Sequence, residues 1–280
     1  MAEPPAPSRA DPARLRADCS RCAGLCCVVP AFARSADFAL DKPAGVACPH
    51  LADAPGQFGC RIHDELRPRG FPGCTAYDCF GAGQLVVQHT YGGATWRSSP
   101  GLAAQMFAVF VVVRPLHELL WLLTQAAALG AAAPVRGALD LAAAEVERLV
   151  QGPADRLVAV DVDEVRAAVV PLLRHASELA RAPESGPDLS GTDLVGQRLG
   201  GLRGASLRGA LLLGADLRDA DLHLADVTGA DLRSADVRGA DLRQVLFLSQ
   251  PQVASARGDE RTLLPQGLRR PEHWSDPGSS

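Results

Sequence analysis

A period of five residues governs the C-terminal part of the chain. Its central apolar position is filled by Leu202, Leu207, Leu212, Leu217, Leu222, Val227, Leu232, Val237, Leu242 and Phe247 without a break. Two residues before these, Ala205, Ala210, Ala215, Ala220, Ala225, Ala230, Ala235 and Ala240 occupy consecutive slots. A spacing of five stays on one face of neither a 3.6-residue helix nor a heptad, so an amphipathic helix or coiled coil is a poor account of this segment. Stacked repeating units that bury a shared core are required instead. A less regular lead-in, Leu189, Leu194 and Leu199, runs two residues out of phase.

Side chains alternate along an extended segment, which turns Ala and the central Leu inward and the intervening Asp and following Arg outward. Units such as Ala215-Asp216-Leu217-Arg218-Asp219, Ala230-Asp231-Leu232-Arg233-Ser234 and Ala240-Asp241-Leu242-Arg243-Gln244 closely resemble the pentapeptide-repeat family. The resemblance implies a right-handed quadrilateral β-helix with a turn at each corner. Four units per coil would bring Asp221 above Asp241 and Arg218 above Arg238, with about 4.8 Å between stacked strands. The Asp and Arg columns then form a solvated, self-compensating face, each exposed pair contributing roughly tenths to 1 kcal/mol. Some members of the family imitate nucleic acid and bind topoisomerases. Here nine Asp face seven Arg between residues 188 and 243, and ten units make too short a rod to mimic much of a duplex, so that role is a remote alternative.

The segment after the repeat, with Phe247-Leu248-Ser249-Gln250-Pro251 and Arg270-Pro271-Glu272-His273-Trp274, resembles the module that closes many bacterial proteins of this kind. Such a module implies a short helix and an aromatic tail folded across the last coil, where an open end would expose apolar side chains and strand edges. Trp274 is expected to pack rather than to recognise a ligand.

Residues 98–183 read as helices. Leu102 to Val113 and Pro115 to Leu129 are strongly apolar, with Pro115 as a first-turn residue or a kink. Ala138 to Val150 places Leu141, Val146, Leu149 and Val150 on one side. A further helix opens at Asp161, with Glu164 completing a capping box, and runs to Ala180 with a kink at Pro171. The longest uncharged apolar stretch, Leu119 to Val135, contains Gly130 and Pro134 and falls short of a membrane span.

All eight cysteines lie between Cys19 and Cys79. Residues 1–14 carry four prolines and read as a flexible lead without a signal-peptide core, which gives a cytoplasmic expectation. In a reducing compartment a dense thiol cluster binds metal or does redox chemistry more often than it forms disulfides. The spacing Cys19-x-x-Cys22 lets two thiolates converge on one ion from a tight loop. The adjacent Cys26 and Cys27 diverge on a regular backbone and are expected to serve different metals or opposite sides of one cluster. Eight thiols fit two four-cysteine sites, or one cluster with spare thiols. His50 and His63 are possible substitute ligands, His63 through its spacing from Cys60. Gly81-Ala82-Gly83 lacks the rest of a dinucleotide fingerprint.

The run Cys19, Cys22, Cys26, Cys27, then Cys48-Pro49-His50-Leu51, Gly59-Cys60-Arg61-Ile62 and Arg67-Pro68 before Cys74, resembles a zinc- or iron-chelating family with a CxxCxxxCC signature. The resemblance implies a metal-ligand role for Cys19, Cys22, Cys26, Cys27, Cys48, Cys60 and Cys74. The stretch from Arg67 to Cys74 is longer than the family pattern, and Cys79 is an added candidate ligand.

Of 28 basic residues only Lys42 is a lysine, against 32 acidic residues, a near balance that argues against general binding to nucleic acid or to an anionic membrane. The expectation is a multidomain chain: a lead over 1–14, a cysteine-rich metal module over 15–97, a helical domain over 98–183, the β-helix over 184–248 and a cap with tail over 249–280. Its expected role is a cytoplasmic adaptor or scaffold that holds zinc or an iron-sulfur cluster and docks a protein partner through the β-helix. The alternative is a redox or peptide-modifying enzyme with the cysteine cluster as its active centre. Nothing in the sequence sets an oligomeric state.

Overall fold

The computed structural model describes residues 12–54, 56–184 and 186–275; most of the expected lead lies outside them. The chain forms two compact units. One comprises residues up to Phe71 with Asp78–Leu129 and Ala133–Arg174, and the other Pro72–Tyr77, Gly130–Ala132 and the chain from His175 onward. The cysteine-bearing segment, except Cys74, and most of the helices therefore share the first unit.

In that unit the short helix α1 (Leu25–Val28) carries two of the cysteines. In the second unit, α2 (Pro72–Thr75) carries Cys74. Back in the first unit, α3 (Ala82–Leu85) runs into a π-helical turn at Val86–Thr90. The core is α4 (Ala103–Ala128), flanked by α5 (Arg136–Val150) and α6 (Ala154–Leu157).

Two expectations for these helices need correction. Pro115 does not open a second helix: it lies inside the continuous α4, which removes the first-turn alternative and leaves the kink. The carbonyl that loses its donor is that of Val111, whose side chain is 59% exposed, so water can satisfy it. In α5 the buried stripe is Leu139, Val146 and Val150, whereas Leu141 is 67% exposed. Leu141 stands two residues from Leu139, about 200° around the helix, and so cannot share its face. The stretch Pro100–Ala128 is long and apolar enough to cross a membrane by length and composition, but here it buries Met106, Val109, Phe110, Val113, Leu116 and Leu120 in the unit's core.

The helix α7 (Val162–Arg181) begins after Asp161, whose carboxylate accepts from the backbone N–H groups of Asp163 and Glu164, the Asp161 half of the expected capping box. Its last turns, from His175, belong to the second unit. There the Ser177 hydroxyl donates to the fully buried Asp226 at 2.5 Å, and Arg208 donates to the same carboxylate at 2.9 Å.

The rest of the second unit is a β-helical coil. Among the described residues its pairing appears as single parallel bridges, not as extended strands. Bridges join Ser206 to Asp226, Leu211 to Asp231, Asp216 to Asp236 and Asp221 to Asp241, so one coil takes four five-residue units. The lead-in bridges, Asp188 to Ser206, Asp193 to Leu211 and Arg198 to Asp216, are two residues shorter, which absorbs its phase shift. Between units the backbone turns through positive φ at Gly204, Gly209, Gly214, Asp219, Leu224, Gly229, Ser234 and Gly239. Glycine suits this left-handed turn, and Leu224 adopts it at a cost of roughly 1–2 kcal/mol.

Every expected inward Ala and central Leu or Val from Leu202 to Leu242 is buried in one continuous core. The space left along the axis is about 10 Å³, too small and too apolar for a ligand. The outward Asp has a local task that the repeat pattern did not suggest. The carboxylates of Asp216, Asp221, Asp226, Asp231, Asp236 and Asp241 each accept the N–H two residues on, closing the turn. Arg218, Arg233, Arg238 and Arg243 then fold back onto the Asp of their own unit in two-pronged ion pairs. Charge compensation thus runs along the unit at these four Arg, and between coils where Arg203 pairs with Asp221 and Arg208 with Asp226.

The cap matches the expected form. The helix α8 (Gln250–Ser255) opens with a Ser249–Gln252 capping box. Trp274 is 4% exposed, its ring lies where a Cβ on Gly258 would stand, and its Nε1 donates to the Ala256 carbonyl at 3.1 Å.

Candidate metal centre

No disulfide joins any of the eight cysteines. Seven of them belong to the first unit; Cys74, expected beside them, belongs to the second. Their placement starts from three short backbone devices. A 3₁₀ turn at Cys19–Arg21 is capped by the Asp18 carboxylate and ends with the Cys22 N–H bonded to the Cys19 carbonyl at 3.4 Å. Helix α1 follows at once and presents Cys26 and Cys27 with their sulfurs 3.9 Å apart. The Cys48 N–H bonds to the Cys27 carbonyl at 2.9 Å, and Leu51 pairs antiparallel with Cys60.

Cys79 arrives from the other side of the segment, on a loop fastened to α4. Arg114 donates to the Asp78 carbonyl at 3.1 Å, and the His117 ring meets the Phe80 carbonyl at 2.7 Å. Phe80 itself is held at φ 47, with Arg114 over its ring and Trp121 beside it. A non-glycine residue in that region is strained by about 1–3 kcal/mol, and the two α4 side chains are what over-determine it. His117 is 2% exposed, and burial lowers its pKa to about 4, so at neutral pH it is an uncharged anchor. Gly83 follows, and a Cβ there would stand 2.4 Å from the Cys22 sulfur. The Gly81-Ala82-Gly83 step, too weak for a nucleotide fingerprint, is the place where a thiol meets bare backbone.

The thiols feel one another. Cys19, Cys22 and Cys26 each interact with Cys79, and Cys22 interacts with both Cys19 and Cys26. Cys27 interacts with Cys19, Cys26, Cys48 and Cys60, so the interactions run through the whole group. Burial pushes the Cys22 thiol up to about 11, and it also raises Cys19, Cys48, Cys60 and Cys79. Cys26 rises well above its ordinary value, because its hydrogen bond with Cys27 and its burial both keep the proton on it. Cys27 is lowered by that same bond and by the Lys42 ammonium. Against burial stand backbone N–H groups directed at sulfur: Leu25 and Gly24 at Cys22, His50 and Leu51 at Cys48, Ile62 at Cys60, Gly83 and Gly81 at Cys79. These donors favour thiolate, and half-buried thiolates that repel one another are stabilised by a cation.

Among the described residues, no three His, Cys, Asp or Glu side chains already stand at ion-holding geometry. The donor set nonetheless suits a soft or borderline cation, being all thiol, close together and supplied with N–H donors. His50 lies edge-on to Phe71 at 5.2 Å, and His63 is exposed on a 3₁₀ turn.

Sequence reasoning set Lys42 aside as a lone lysine. It is 3% exposed, and its ammonium donates to the carbonyls of Val28, Pro43 and Val46 at 2.9, 3.1 and 2.9 Å. The signal was available: one lysine retained among arginines, inside the cysteine segment.

The coil, its closed turns and its capped end define a pentapeptide-repeat protein. A model of the pentapeptide repeats family matches residues 202–233 and 224–247, in eight copies over the chain. The chain is 53% identical over 267 residues to the uncharacterized protein YybG of Bacillus subtilis (strain 168), covering 93% of this chain and 95% of that protein, and it belongs to the same family. Two solved structures are similar over the repeats. The pentapeptide repeat protein Rfr23 from the cyanobacterium Cyanothece 51142 is 32% identical, with a TM-score of 0.25, over 28% of this chain and 53% of that one. The match thus spans about half the length of Rfr23. A pentapeptide repeat protein from the Arabidopsis thaliana thylakoid lumen is 30% identical, with a TM-score of 0.22, over 32% of this chain and 68% of that one. Nothing about the remaining two thirds of the chain follows from either.

Proposed function

We propose that the chain is a cytoplasmic metal-binding scaffold in which the cysteine segment holds zinc or an iron-sulfur cluster and the coil docks a protein partner. In this reading the coil is the right-handed, four-sided solenoid of its family. The observation that carries the metal reading is a group of interacting, mostly half-buried thiols, with backbone N–H groups that favour thiolate at Cys22, Cys48, Cys60 and Cys79. In the absence of a cation, burial alone would hold a thiol such as Cys22 protonated, up to about pH 11. A divalent cation or cluster removes that penalty and stabilises the fold of the segment that grips it.

The adaptor role is supported by the coil's chemistry. It has a filled axis and ion-paired faces, and so offers a rigid surface instead of a pocket. Purification without oxygen followed by absorption spectroscopy tests the metal reading and chooses the metal. Colourless protein with stoichiometric zinc supports a structural site, and brown protein containing iron and sulfide supports a cluster. A pull-down with the whole chain and with a chain lacking residues 188–248 tests docking: capture of the same proteins by both would reject the coil as the docking surface.

A further inference from the structure

We propose that a groove in the first unit, between α5 and the first half of α7, receives an amphipathic helix of a partner protein that carries Lys or Arg beside its apolar face. The inference needs neither the metal nor the coil.

The groove has a volume of about 510 Å³, within the roughly 300–1,000 Å³ of concave binding sites. Ala142, Val146 and Leu149 recur at three- and four-residue steps on α5, as do Val165, Ala168 and Leu172 on α7, so each helix turns an apolar stripe to it. Val146 is buried at its base, whereas Leu149, Val165 and Leu172 stand half-buried along it. Between Val165 and Leu172 the small, exposed Ala168 leaves room for a guest side chain. The stripe from Asp161 to Leu172 is about 16 Å long, enough for anchors at i, i+4 and i+7 of a guest helix. The exposed Leu141, one turn before Glu145 on the same face of α5, prolongs the apolar edge.

Charge selects the guest. Glu145, Asp161 and Glu164 are the charged residues lining the groove; all three are exposed, and no basic side chain lines it among the described residues. Glu145 is paired with Arg148, and Asp161 caps α7, whereas Glu164 has no ion pair among the described residues. Pro171 has no N–H to give to the Ala167 carbonyl, on an exposed stretch next to Ala168, and that acceptor too suits a cationic side chain. A small ligand would need polar groups converging in the depth of its site. Here they stand at the rim of an apolar slot, the arrangement that matches a helix with cations flanking its apolar stripe.

The test is a selection from phage-displayed helical peptides of random sequence on the immobilised whole chain, with counter-selection on its Ala168→Arg variant. Arg at that exposed helical position fills the groove and reverses its charge without disturbing the helix, and circular dichroism should show both chains equally folded. Selected peptides should carry apolar residues at i, i+3 or i+4 and i+7 with Lys or Arg alongside. Their Kd should weaken by at least about tenfold for Ala168→Arg and about threefold for Glu164→Lys, and should weaken further as salt rises. Recovery of no peptide, of acidic or non-helical peptides, or of peptides that bind both variants as tightly as the unaltered chain would overturn the proposal. Self-association of the unaltered chain that Ala168→Arg abolishes would assign the groove to a second copy and overturn it as well.

Discussion

The coil and the cysteine segment are stabilised in opposite ways. In the coil, the five-residue units share one solution: small and branched apolar residues inward throughout, with Asp closing the turn in six units and Arg folded back on that Asp in four. Only a few units take a partner from outside the repeat, as Asp226 does from Ser177 of α7. The cysteine segment contains no repeat, and its order comes from single long-range ties such as Lys42 to Val28, Arg114 to Asp78 and Trp96 to Ala23. Many equal contributions make a structure tolerant of local damage at its surface, whereas a few unlike ones make it depend on each. Placing the thiols so close adds a second dependence, on a cation.

The largest contrast should come from charge placed in the coil's axis. Leu217→Asp buries a carboxylate at a fully buried position and should unfold the second unit, with a cost of at least 3–5 kcal/mol. Thermal melting followed by circular dichroism should lose the coil's transition while metal content stays unchanged; loss of metal as well would show that the two regions are not independent.

A smaller change should damage the other region alone. Gly83→Ala pushes a methyl group into the Cys22 sulfur and should cost about 1–3 kcal/mol together with a measurable loss of bound metal. The coil's melting should not move. An unaltered metal content would remove Cys22 from the site.

Acid should separate the two regions as well. The carboxylates of Asp231, Asp236 and Asp241 are held below the usual carboxylate range, Asp231 and Asp241 first by their Arg partners and Asp236 by Arg238 and its N–H against opposing burial. Their folded-state pKa values are depressed, so their contribution is complete above the ordinary carboxylate range and is lost only as the pH falls through and below it. Metal-bound thiolates compete with protons at higher pH. A pH titration should therefore release metal while the coil's circular dichroism is still intact, and the reverse order would break the comparison.

The smallest expected effect is a gain. Leu224→Gly removes a left-handed leucine from a corner and should raise the coil's stability by about 0.5 kcal/mol, after allowing for the flexibility glycine adds to the unfolded chain. Denaturant unfolding would detect it, and a loss of stability would mean that the Leu224 side chain packs more than its corner position implies.

The coil was legible because a period of five with fixed chemistry admits few architectures, and the inward residues could be named one by one. The local closure of each turn by Asp was not legible, since the same Asp column also fits a stacked ladder. In the helices, Pro115 did not end the apolar run because it falls at a position where the chain is open to solvent around Val111, and Leu141 misled because the stripe is set by Leu139. At the cysteines, spacing named the thiols but not their grouping. The Cys79 loop is positioned by Arg114 and His117 from α4, and Lys42 ties the main chain beside Cys27, and no sequence motif announces these long-range ties.

The claim beneath all of this is that the thiols are gathered to hold a cation. Elemental analysis of the chain purified without oxygen, paired with a thiol count after unfolding, tests it directly. The account predicts at least one equivalent of bound zinc, or of iron with sulfide, and eight reduced thiols; a chain without bound transition metal whose cysteines have paired into disulfides would contradict it.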